Sequence, residues 1–260
     1  MKKPAVVKYY LNFIAALLLI FPHGCSYSPG SSLDTDLSLS ADYYTSYITK
    51  IYDDLDTGRY GRPELKVFKK ALAGFLRLKE QSLVSSNIIV MIDFSQSSDL
   101  ERMWIVDLEN MKITDQMLVS HGKNSGELFA ENLSNTPSSY QSSPGFYVTG
   151  EIYYGRHGMS LYLDGMEPGI NDKARERAIV MHSADYVSYD FVKQHGRLGR
   201  SHGCPAIPVE NHKQVLLSLA GGSCLFIYHP SIEKRSELLS YPDTLPKLCL
   251  NAESRGSSLL

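Results

Sequence analysis

The stretch "GFYVTGEIYYGRHGMSLYLDG", residues 145–165, decides the fold. It is rich in aromatic and β-branched residues, contains no proline, and is broken once, by Gly155-Arg156-His157-Gly158. That pattern reads as two strands joined by a tight hairpin turn. Further strands lie on both sides. "NIIVMIDF" (Asn87–Phe94) is β-rich and bounded by "SQSSD". "MWIVDL" and "ITDQMLVS" flank Glu109-Asn110, a second hairpin signal. "RAIVMH" ends at His182, and "SCLFIYH" is a last strand after a helical run, Val209–Ala220, stopped by Gly221 and Gly222. Many short strands with few helices predict a mainly β domain, a sandwich or barrel-like sheet.

The strand-rich part spans 85–232. Before it, residues 41–84 predict a short helical segment. Tyr44, Tyr47, Ile48, Ile51 and Leu55 recur at helical spacing, "DTGRYGRP" interrupts, and Pro63 opens a second helix with Leu65, Phe68, Leu72, Phe75 and Leu76 on one face. Residues 26–40 are rich in Ser, Gly and Pro and read as a flexible tether, and 233–260 as a C-terminal tail.

Residues 1–25 read as an export signal. Lys2, Lys3 and Lys8 precede a short apolar run, Leu11–Phe21. The run falls short of the roughly 20 apolar residues of a membrane span, although a retained N-terminal anchor is the alternative reading. Cys25 follows Gly24 as in a bacterial lipoprotein signal, but Pro22 stands where an aliphatic residue is usual. Cys25 is therefore either lipidated or removed with the signal. The expected location is the periplasm or cell envelope. A net charge of -2 argues against a general nucleic-acid binder.

Three cysteines remain: Cys204, Cys224 and Cys249. An odd set in an exported chain suggests one pair, Cys224–Cys249, and one free thiol, Cys204; equally, all three are reduced. No CxxC is present, and His182, His202 and Cys204 have no evident fourth ligand, so a metal site is not expected.

Chemistry concentrates in "GRSHGCPAIP", residues 199–208. A thiol attacks as thiolate and needs a base or positive charge nearby. His202 and His182 are the candidate bases, and His182 is favoured because a strand end holds a side chain firmly. Gly203 permits a sharp turn beside Cys204, so the Gly203 and Cys204 N–H groups form a candidate oxyanion site. No acid occurs from Phe191 to Val209, while Arg197 and Arg200 are present, which suggests a positive field and recognition of a carboxylate substrate. His121, Lys123, Asn124 and Ser125 form a polar loop, a plain surface loop or a cleft wall. The Arg156–Ser160 turn is a hairpin tip or a segment that reaches the substrate, Tyr147 and Tyr162 are packing or part of a cleft wall, and His212 and His229 are read as structural.

"SHGC", with a histidine upstream, resembles the L,D-transpeptidase catalytic (YkuD-type) family, in particular its murein branch, in which Pro-Ala follows the nucleophile. "SHGKNSGELFAENLSN", "SSPGFYVTGEIYYGRHGMSLYLDGME", "NDKARERAIVMHSADYV" and "GRLGRSHGCPAIP" extend the likeness. The resemblance implies a mainly β fold and an exported enzyme acting on peptidoglycan stem peptides. Cys204 would be nucleophile and His182 base, with Ser201, His202 and Gly203 orienting that base and shaping the oxyanion site. D-alanine is released from a tetrapeptide and an amine of a neighbouring stem, or of an anchored protein, resolves the thioester. Water as acceptor would instead make an L,D-carboxypeptidase, and an idle wall-binding lipoprotein is the non-enzymatic alternative. Acylation by carbapenems is a further implication, and no metal or cofactor is implied. Two departures bear on the donor pocket: Ala206 stands where familiar members carry arginine, and Ser183 where glycine often follows the base.

Overall fold

The computed structural model describes residues 45–239. The signal, the tether and Cys249 lie outside the described residues.

A helix over 45–54 (α1) and one over Leu65–Glu80 (α2) precede the sheet. In α2, Arg77 and Lys79 occupy the last turn, where the backbone dipole favours cations. Eight strands follow: β1 Ile88–Asp93, β2 Met103–Asp107, β3 Lys112–Met117, β4 Gly145–Gly155, β5 Gly158–Gly165, β6 Val180–Ser183, β7 Ala206–Ile207 and β8 Cys224–Tyr228. Two helices sit between them, α3 Tyr189–His195 and α4 His212–Leu219.

The strands form one sheet in the order β3-β2-β1-β8-β4-β5-β6-β7. The β1–β8 and β6–β7 pairs are parallel and the others antiparallel. Its two edges meet again. Just beyond β3, Ser120 bridges to Ala206 of β7, its N–H donating to the Ala206 carbonyl at 2.9 Å. The sheet is thereby nearly closed into a barrel, a geometry that leaves few unpaired edges. The expected mainly β, barrel-like fold is the observed one.

Alternation explains the unbroken apolar strands. Ile89 and Met91 of β1, with Cys224 and Phe226 of β8, join the core formed with α1 and α2. Val90, Ile92, Leu225 and Ile227 join a second core on the other face, with Leu161, Met181 and the Val215, Leu216 and Leu219 stripe of α4. Both faces are covered, so neither needs polar residues. The N-terminal helices are thus built into the same unit as the sheet. Gly74 of α2 lies so close to β4 that a Cβ there would fall 2.0 Å from a Phe146 ring carbon. Residues 233–239 are also built in: the Ser236 hydroxyl donates to buried Glu167, and Leu239 joins the first core. Cys224 is a free, fully buried thiol.

The hairpin signals materialise. Gly155 pairs with Gly158 across the β4–β5 turn. At the β2–β3 turn the Asp107 carboxylate accepts the N–H groups of Glu109 and Asn110, both at 3.0 Å. Helix α3 was not anticipated, yet its signals are local: Ser188 accepts the Phe191 N–H as N-cap and Gly196 closes it at φ 70°.

Candidate active site

The candidate site lies where β6 pairs with β7 and the loop that leads into it. His182 of β6 lies directly opposite Ala206 in the parallel β6–β7 register. Cys204 is two residues upstream of Ala206 on the same short segment. The two chemical groups that lie far apart in sequence are therefore neighbours through one strand pair.

His182 is 2% exposed. Its Nδ1 lies 3.0 Å from the Ser183 carbonyl oxygen. A carbonyl accepts only, so Nδ1 carries the proton of the neutral ring and Nε2 keeps its lone pair. Burial holds this imidazole below its ordinary value, and the charge of His157 acts the same way; the Ser183 contact opposes them. His157 comes from the β4–β5 turn and stacks on His182, with centroids 4.3 Å apart and planes at 20°. The hairpin tip thus covers the base, so the turn contributes to the site as well as to the hairpin.

Cys204 is half-buried and free. Its Sγ lies 3.7 Å from the Ala178 carbonyl oxygen, to which the thiol donates. Burial pushes the thiol up, whereas the Val180 N–H and the Arg177 guanidinium pull it down. Among the described residues no hydrogen bond joins Cys204 to His182, and such bonds are often loose before substrate binds.

Ser201 and Gly203 shape the loop. The Ser201 hydroxyl donates to the Cys204 carbonyl at 2.6 Å and accepts the Gly203 N–H at 3.0 Å. That N–H is therefore already bonded, which alters the expected oxyanion pair and leaves the Cys204 N–H as the loop's donor. Gly203 has φ 121°, and a Cβ there would lie 2.7 Å from the Gln141 carbonyl. Only glycine fits both the backbone and the space. His202 points the other way: it is exposed, and its ring lies 4.5 Å from that of Tyr140, on which the Lys123 ammonium also rests at 4.2 Å.

The loop over 120–125 is part of this framework. Gly122 bridges to Ser201, and the Ser142 hydroxyl accepts the Gly122 N–H and donates to the Gly203 carbonyl, each at 3.0 Å. His121 is wholly buried, with Nδ1 2.8 Å from Arg102 Nη2. Burial and that guanidinium push the imidazole down to about 4. His121 is a structural group, and Ser125 is likewise buried, its hydroxyl accepting the Ser142 N–H at 2.9 Å.

Arg197 and Arg200 do not form a free positive field. Both pair with Glu127, at 2.8 and 2.6 Å, and Arg200 also donates to the carbonyls of Lys123 and Gly126. No acid lies within 191–209, and the neutralising carboxylate comes from a loop distant in sequence. The arginine that faces Cys204 is instead Arg177, five residues before His182; the quoted "NDKARERAIVMHSADYV" contains it without marking it out. Among the described residues no three His, Cys, Asp or Glu side chains converge as metal ligands. Tyr147 is fully buried with its hydroxyl on the Ser143 carbonyl, and Tyr162 stacks on Tyr153, as packing predicts.

The model of the L,D-transpeptidase catalytic domain family matches residues 61–228, and the chain belongs to that family. No curated protein matches it. Among solved structures it is similar to an L,D-transpeptidase from Mycobacterium smegmatis, at 12% identity and TM-score 0.35, over 56% of this chain and 60% of that one. It is also similar to the helical cell shape determining protein Pgp2 from Campylobacter jejuni, at 15% identity and TM-score 0.35, over 56% and 48%. An L,D-transpeptidase from Xylanimonas cellulosilytica is matched at 14% identity and TM-score 0.33, over 72% and 93%. The first two are therefore spanned by this chain for only about half to three fifths of their length.

Proposed function

We propose that this chain is a cysteine-dependent L,D-transpeptidase of the cell wall, exported by its N-terminal signal. The observation that supports the reading is the β6–β7 register, in which the buried His182 pairs with Ala206, two residues along the chain from the free thiol of Cys204.

In the proposed reaction, His182 Nε2 takes the Cys204 proton and the sulfur attacks the carbonyl at the L-centre of the third stem residue of a tetrapeptide. The oxyanion develops beside the Cys204 N–H, where a preorganised donor contributes most. The C–N bond breaks, the imidazolium returns its proton to the departing amine, and D-alanine leaves. The thioester is then attacked by an amine of a second stem or of an anchored protein; His182 takes that amine's proton and returns it to the departing thiolate. Splitting one exchange into two acyl transfers lowers each barrier.

The test is incubation with disaccharide-tetrapeptide, followed by separation of products. Cross-linked dimers with released D-alanine, absent for Cys204→Ala, are expected. Tripeptide without dimers would redirect the reading to a carboxypeptidase. Binding without any D-alanine release would favour a wall-binding module.

A further inference from the structure

Glu127 holds both Arg197 and Arg200 in ion pairs. Arg177 is different. Its Nη1 donates to the Ser134 carbonyl at 2.7 Å and to the Ser143 hydroxyl, and its Nη2 to the Gln141 carbonyl at 2.5 Å and the Ser139 hydroxyl at 3.3 Å. Every one of these acceptors is uncharged. Among the described residues no ion pair includes Arg177, whereas Arg175, two residues earlier, is paired with both Glu151 and Asp164. A half-buried guanidinium fixed by four neutral acceptors keeps its whole charge and lacks an anion.

The position of that charge is defined by the loop it faces. A Cβ on Gly203 would lie 3.4 Å from Arg177 Nη2, so the guanidinium abuts the residue before Cys204. The next residue of its own chain, Ala178, provides the carbonyl that accepts the Cys204 thiol. We propose that Arg177 is the fixed positive charge of the site, a positioning residue that stabilises the Cys204 thiolate as the thiol gives up its proton. This rests on the reading of Cys204 as nucleophile.

The other groups around the sulfur do not supply such a charge. His182 on β6 is held neutral by burial, and the Val180 N–H is a dipole only. The Tyr186 phenol, from the loop after β6, is pushed up to about 12 by burial and by the cysteine, so it stays neutral. Arg177 opposes the burial that pushes the thiol up. Its fork also ties 134–143 to the approach to β6, which fixes the charge in place rather than leaving it on a mobile side chain.

The test is the pH dependence of iodoacetamide alkylation, followed on the tryptic peptide Ser201–Lys213 so that Cys224 does not contribute. It needs no peptidoglycan. In Arg177→Gln the alkylation midpoint should rise by about one pH unit, a tenfold loss of thiolate at a fixed pH below it. Arg177→Lys keeps a charge but cannot keep four hydrogen bonds, and its midpoint should stay close to wild type. A folded Gln variant with an unshifted midpoint overturns the proposal. So does a folded Lys variant whose midpoint rises as far as one pH unit, because the bonds and not the charge would then matter; this arm decides alone if the Gln variant does not fold. Wild-type Cys204 that resists alkylation from about pH 5 to 10 while reacting in urea would instead sink the nucleophile reading, and this inference with it.

Discussion

Replacing Ser201 by alanine removes one hydroxyl and breaks two bonds at the nucleophile. The hydroxyl donates to the Cys204 carbonyl at 2.6 Å and accepts the Gly203 N–H at 3.0 Å, in a residue only 5% exposed. Both backbone groups then lose a partner in a loop held on one side by Ser142 and on the other by the Gly122 bridge. An orphaned buried group costs ~1–3 kcal/mol, so two cost about 3 kcal/mol after partial rehydration. For a unit of this size that corresponds to a fall in Tm of roughly 6–12 °C. The loop also loses the bond that fixes the peptide following the sulfur, and a displacement of ~1 Å at a reacting atom costs about 100-fold in rate. Calorimetry and D-alanine release would be measured on wild type, Ser201→Ala and Ser201→Thr. The threonine variant retains the hydroxyl and should recover most of both properties. An alanine variant within about 0.5 kcal/mol of wild type and fully active would refute the claim that this hydroxyl organises the site.

Three further outcomes are expected. Gly203→Ala forces a side chain onto φ 121° and against the Gln141 carbonyl, so it should lose ~1–3 kcal/mol in chemical denaturation and most of its D-alanine release; a stable, active variant would contradict the loop geometry. Because the folded His121 is protonated only near 4, while the unfolded chain takes up its proton near 6.5, the unfolded state binds more protons between those values and stability falls as pH is lowered through that window. Urea midpoints at pH 7 and 5 should differ by about 2 kcal/mol from this group, and a His121→Gln variant should show a smaller difference. Since burial and His157 hold His182 below its usual value, the acid limb of D-alanine release should fall below about pH 6.5, and a limb above it would contradict a neutral buried base.

What was legible in the sequence was local. The β4–β5 hairpin is written in residues 145–165, and β1 and β8 were legible as β-rich runs, whereas the covering of both their faces depends on packing against distant elements. Gly203 and His182 were legible because a glycine beside a cysteine and a histidine ending a strand are local patterns. The closure of the sheet was not, because Ser120 and Ala206 meet only after every intervening strand has paired. The same limit hid the electrostatics. Glu127 belongs to a loop more than seventy residues from Arg200 in the chain, as the separation of 73 in their hydrogen bond records. Arg177 acquires meaning only once 134–143 folds around it. The helical segment over 41–84 looked separable for a related reason, since nothing near Gly74 in sequence reveals that Phe146 will lie against it.

The most direct test of Cys204 as nucleophile is the intact mass of the mature protein after incubation with disaccharide-tetrapeptide, for wild type, Cys204→Ala and His182→Ala. The account predicts a disaccharide-tripeptide thioester on wild type alone, mapped to Cys204 and matched by one equivalent of released D-alanine. A folded wild-type protein with a free Cys204 thiol that forms no adduct and releases no D-alanine would contradict it.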